Sequence, residues 1–172
     1  DYLENAISGF DGNVDFLKNS LNNKKGVVGK YVNNKVLEYV VQDGEVLTGT
    51  FGANDKISIA DGATVTLNNV TVNGVNRDDY NWAGITCLGD CEIVLAENSK
   101  NTVKGFYEDN PGIYVPVGNT LTISGTGSLD ASSNGYGAGI GGGWGISCGS
   151  IVISGGTIVV RGGGFLAGGG GG

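Results

Sequence analysis

Two acidic pairs offer the most chemistry for their size. Asp78-Asp79 and Glu108-Asp109 fall in two loops that precede similar isoleucines, Ile85 and Ile113. Carboxylates held in register can bind calcium or share a proton. Asp78, Asp79, Glu108 and Asp109 are therefore the candidate metal ligands, with calcium as the metal, and no other cofactor is expected. A glycosidic hydrolase needs a defined acid and base across a cleft, and a lyase needs a base beside its calcium. The only cations in these loops are Arg77 and Lys104. Most charge in surface loops is simply solvated, so the chain reads as non-catalytic.

The same loops carry aromatic residues. Tyr80 and Trp82 precede Ile85, Phe106 and Tyr107 precede Ile113, Tyr136 precedes Ile140, and Phe165 sits at the matching place further on. Asn76, Asn81, Asn110 and Asn134 lie beside them. Rings stack on the C–H faces of sugars, while amides and acids hydrogen-bond to hydroxyls. Tyr80, Trp82, Tyr107 and Tyr136 are thus candidate ligand-binding residues. The competing reading has the same rings packing a loop corner.

Other motifs carry less. Gly137-Ala-Gly139-Ile-Gly141-Gly142 fits the spacing of a dinucleotide-binding loop, but the next residues are more glycine and then a strand, not a helix. These glycines read as a flat corner where backbones approach closely. The terminal glycines lack the Asp of a calcium-binding β-roll, since no Asp follows Asp130. Asn69-Val70-Thr71 is a glycosylation sequon inside a strand pattern. Of the three cysteines, Cys87 and Cys91 are close enough to bridge across a turn, and Cys148 is left over. The plainer reading is three small buried hydrophobes.

Composition narrows the function classes. The chain has no His, which removes the commonest general base and zinc ligand. Its net charge of −7 argues against nucleic acid and anionic membrane surfaces. No apolar run is long enough to cross a bilayer as a helix, so no membrane insertion is expected. No leader is visible at Asp1, as expected of a mature form or a fragment.

The elements that must position these loops come from a repeat. Ile57, Ile85, Ile113 and Ile140 are spaced by 28, 28 and 27 residues. Apolar pairs follow at Val65 and Leu67, Ile93 and Leu95, and Leu121 and Ile123. In the last repeat the pair is Ile151 and Ile153, displaced by three extra residues near Gly143–Gly145. A looser apolar position comes next: Val70 and Val72, Val103, Leu129, then Ile158 and Val160. Each repeat holds about three short strands that alternate one face in and one face out. Asp61-Gly62, Asn73-Gly74, Gly89-Asp90 and Gly118-Asn119 punctuate them. Glycine numbers 34, nearly three times ordinary usage, and acts as corner chemistry.

One such coil cannot bury its apolar face alone, whereas stacked coils can. The fold expected is all-β: a right-handed parallel β-helix of about four to five coils over residues 45–172. A β-sandwich would not need the constant period. Residues 1–44 read as an N-terminal cap with a short amphipathic helix over Asn13–Leu21, followed by a strand at Val36–Val41. Val46–Phe51 reads as the first, imperfect coil. The end of the sequence reads as the start of another coil, so a longer solenoid is expected.

Gly137-Ala-Gly-Ile-Gly-Gly-Gly, with Cys148-Gly-Ser-Ile-Val-Ile-Ser-Gly-Gly-Thr-Ile-Val-Val after it, resembles a recurrent repeat of large bacterial surface and secreted β-helix proteins. These are described as carbohydrate-binding-domain or adhesin-like. Ala60-Asp-Gly-Ala-Thr-Val-Thr-Leu-Asn-Asn-Val-Thr-Val is also similar. The resemblance spans about residues 45–172 and implies a secreted or cell-surface location with a glycan as partner. The function expected is glycan binding or adhesion. The alternatives are a structural spacer that self-associates end to end and, third, a polysaccharide-active enzyme.

Overall fold

A computed structural model describes residues 28–32, 36–53 and 55–163, with side chains from Glu38 onward. The helix expected over Asn13–Leu21, and Phe165, lie outside them. In chain order the strands are β1 (Val28–Val32), β2 (Val36–Val41), β3 (Val46–Phe51), β4 (Asp55–Ile59), β5 (Thr64–Val72), β6 (Ile85–Cys87) and β7 (Cys91–Leu95). Then come β8 (Lys100–Lys104), β9 (Ile113–Tyr114), β10 (Thr120–Gly125), β11 (Ser128–Ser132), β12 (Ile140–Gly141), β13 (Ser150–Ile153) and β14 (Thr157–Arg161). Among the described residues one 3-10 turn, Asp78–Tyr80, interrupts them.

The molecule is an all-β parallel solenoid of about four turns. It has three walls. β2, β4, β6, β9 and β12 stack in parallel as the first, and β1 joins β2 antiparallel at its edge. The second wall takes the first halves of β3 and β5, then β7, β10 and β13. The third takes their second halves, then β8, β11 and β14. β5 serves two walls because it bends at Asn69, whose φ of 56° is left-handed. The sequon asparagine is therefore a corner residue, and its side-chain oxygen accepts from the Lys100 N–H.

Alternation makes the core. In β7 the residues Cys91, Ile93 and Leu95 point inward and are buried, while Glu92 and Val94 are only half-buried. Ile57, Ile85, Ile113 and Ile140 stand in register from coil to coil, as the period implies. Val65 pairs with Ile93 and Leu67 with Leu95.

The next step departs from the sequence expectation. Ile123, not Leu121, stands beside Ile93, and Leu121 stands beside Cys91. The turn after Val115 is two residues longer than the turn after Cys87, so the strand arrives two positions late. The third wall shifts too: Val103 pairs with Ala131, and Leu129 pairs with Asn101. A shorter turn between β10 and β11 takes back the two residues. The period survives because corner lengths compensate.

Asn101 is thus a buried amide in a column of apolar residues. Its oxygen accepts from the Val70 N–H, and its nitrogen donates to Ser99 Oγ and the Ser128 carbonyl. At another corner, aspartates tie coil to coil. Asp43 accepts from the Thr64 N–H at 2.9 Å, Asp61 from Asp90 at 3.0 Å, and Asp90 from Thr120 at 2.7 Å. These turn carboxylates each satisfy a donor that the strand ladder misses.

The two described ends differ. Tyr39, Val41, Leu47 and Phe51 at the first coil are buried. At the last, Val152, Ile153, Val159 and Val160 are exposed, and Ile151 and Ile158 are half-covered.

Candidate functional site

The loop edge joins the third wall to the first. Its floor is set by three glycines, Gly84, Gly112 and Gly139, each just before a core isoleucine. A Cβ on Gly84 would lie 2.7 Å from the Gly112 carbonyl oxygen, and one on Gly112 would lie 2.5 Å from that of Gly139. Only glycine lets the coils approach this closely. The close corner expected from the glycine motif is present, and it extends through three coils.

Above that floor the four candidate rings divide. Tyr80 and Trp82 are half-buried against the core and meet edge-on at 5.4 Å. Trp82 also packs on Phe106, a fully buried ring, at 5.4 Å. The Trp82 indole N–H is buried and has no acceptor among the described residues. Arg77 lies over the Tyr80 ring and pairs with Asp79 at 2.9 Å. Tyr107 is half-buried and Tyr136 is 41% exposed.

Tyr136 has a partner that the sequence pattern did not single out. Trp144 is 67% exposed and stands 5.9 Å from Tyr136, the planes inclined at 44°. The short insertion after β12 folds back onto the loop before β9 to bring it there. The Gly142 carbonyl accepts from the Ala138 N–H, and the Trp144 N–H donates to the Asp109 carbonyl. The signal was available: an aromatic inside an insertion is not needed to complete a coil.

The acidic residues gather around Tyr107. Glu108 holds the phenol pKa above its ordinary value, with burial, Asp78 and Asp109 adding to the effect. Asp78 and the Glu108-Asp109 pair thus act on one ring from neighbouring coils. Among the described residues, however, no three His, Cys, Asp or Glu side chains come together as a metal site. Asp79 accepts from the Arg77 guanidinium. The Asn110 amide donates to the Asn81 oxygen, continuing the coil-to-coil ties along the edge.

The arrangement is one open pair of rings beside amides and carboxylates, with a second, packed group of rings one and two coils away. Open rings of this kind offer flat apolar area next to hydrogen-bonding groups. Compared with family models, curated proteins and solved structures, the chain gives no significant match. No helix among the described residues is long and apolar enough to cross a membrane.

Proposed function

We propose that the chain is a non-catalytic solenoid module of a secreted or cell-surface protein, binding a glycan along its loop edge. The observation that carries this reading is the exposed Tyr136–Trp144 pair. Two large rings left in solvent stabilise nothing inside the coil, yet together they form a platform for a sugar face. Glu108, Asp109 and Asn110 lie on the loop that anchors Trp144 and can orient hydroxyls. The bacterial surface repeat resembled by the glycine corner points the same way.

A glycan array followed by titration of Trp fluorescence tests it. Trp144→Ala and Tyr136→Ala should each weaken binding by about 1–3 kcal/mol, the hot-spot range, with melting temperature unchanged. Trp82→Ala should instead lower the melting temperature, because its ring packs on Phe106. An array with no bound glycan would sink the proposal.

A second reading is favoured by the exposed last coil. A spacer or filament subunit would use that apolar end to stack on another copy.

A further inference from the structure

Cys87 closes β6 and Cys91 opens β7, with Leu88, Gly89 and Asp90 between them. Their sulfurs lie 3.0 Å apart, about an ångström beyond a covalent S–S bond of about 2.05 Å. Both are buried, free thiols. The geometry belongs to the corner and not to the sulfurs. In the adjacent coil the equivalent positions are Ile59 and Ala63, again one residue each side of a three-residue turn and both pointing inward. The turn is clamped: the Leu88 N–H donates to the Ile59 carbonyl, the Gly62 N–H to that of Asp90, and the Asp90 N–H to the Asp61 carboxylate.

We propose that Cys87 and Cys91 form a thiol–disulfide exchange site, a dithiol that closes into a bridge across this corner. Two observations favour closure over other uses of paired thiols. Their neighbours Ile59, Ala63 and Leu121 are apolar, which suits a group with no polar hydrogen. No third His, Cys, Asp or Glu joins them among the described residues, so zinc would find two ligands where a structural site takes four.

The oxidant is a small-molecule disulfide, RS–SR. The Cys91 thiol loses its proton and attacks one sulfur, the S–S bond breaks, and RS⁻ leaves. The Cys87 thiol then loses its proton and attacks the Cys91 sulfur of the mixed disulfide, releasing the second RS⁻. The two RS⁻ take up the two protons. Two protein thiols are oxidised, and one RS–SR is reduced to two RSH.

The test uses the 172-residue chain with oxidised glutathione as the probe. One sample is treated folded and one during refolding from denaturant. Each is then denatured, alkylated and weighed, beside a sample kept in reductant. The expected 87–91 peptide is lighter by about 2 Da, the mass of two hydrogens, and takes no alkyl group, whereas that of the reduced chain takes two. Cys148, a half-exposed thiol with no resolving partner, carries glutathione or an alkyl group and does not enter the comparison. Peptide mapping should place the bridge within 87–91. Cys87→Ala removes the resolving thiol and should leave glutathione attached at Cys91. Alkylation of both Cys87 and Cys91 in both oxidised samples, or a persistent glutathione adduct on the wild-type pair, overturns the proposal. If Cys87→Ala does not fold, the wild-type masses still decide it.

Discussion

At position 101 the fold puts an amide where the neighbouring coils put Val70, Leu129 and Ile158. Asn101 holds its place by serving three partners, Val70, Ser99 and Ser128. Asn101→Ala strands the buried Val70 N–H and should cost about 1–3 kcal/mol in a denaturant titration. A loss below experimental error would mean that water replaces the amide. Apolar periodicity made Val103 legible but could not mark Asn101, because a satisfied buried polar residue looks like a surface residue in sequence. Tyr107 makes a second residue-scale case. Its raised pKa means that the folded chain holds the phenolic proton more tightly than the unfolded chain. That stabilisation is complete below an unfolded value near 10 and is lost as pH climbs through the folded value. Glu108→Gln removes the largest cause, so the Tyr107 ring resonance should titrate at lower pH. An unmoved titration would show that Glu108 is not the source.

The unit at the next scale is the strand with its corner. Identical columns of isoleucine on the first wall coexist with turns of different length elsewhere. From Ile85 to Ile93 the chain takes eight steps, and from Ile113 to Ile123, the equivalent pair, it takes ten. A repeat period reports the sum of the corners and not their distribution, which is why the first wall and most of the other two were legible, but not the β7–β10 and β8–β11 steps, where the corner lengths change. The glycine floor of the loop edge is less forgiving. Gly112→Ala brings a Cβ to 2.5 Å from the Gly139 oxygen and close to the Ser132 backbone, so two coils must move apart. Overpacking of this kind typically costs about 1–3 kcal/mol, read as a lower midpoint of unfolding. An unchanged midpoint would mean that the coils have slack. The loops above that floor were legible as a ring-bearing edge. The pairing of Tyr136 with Trp144 was not, since it depends on an insertion folding back onto the loop before β9.

For the molecule as a whole, the difference between the first and last described coils matters most. The described last coil exposes Val152 at 47%, Ile153 at 52% and the edges of β13 and β14. From Ala131 to Gly163 the only charged residue is Arg161, and it is bonded to Asp130. Little charge therefore opposes association there, although the chain carries −7. The 172-residue chain should associate with rising concentration in sedimentation experiments, and Val152→Lys with Val159→Lys should return it to monomer. A monomer at all concentrations would remove the assembly reading. The direction of the strand hydrogen bonds has a mechanical consequence. They run along the stacking axis, so a pull on the two ends loads them as a zip and not in shear. Coils then peel away in succession. A coil of 28 residues adds only about 5 Å of height while stacked but roughly 90 Å of slack once peeled. Under tension such a solenoid behaves as a spool that lets out line coil by coil.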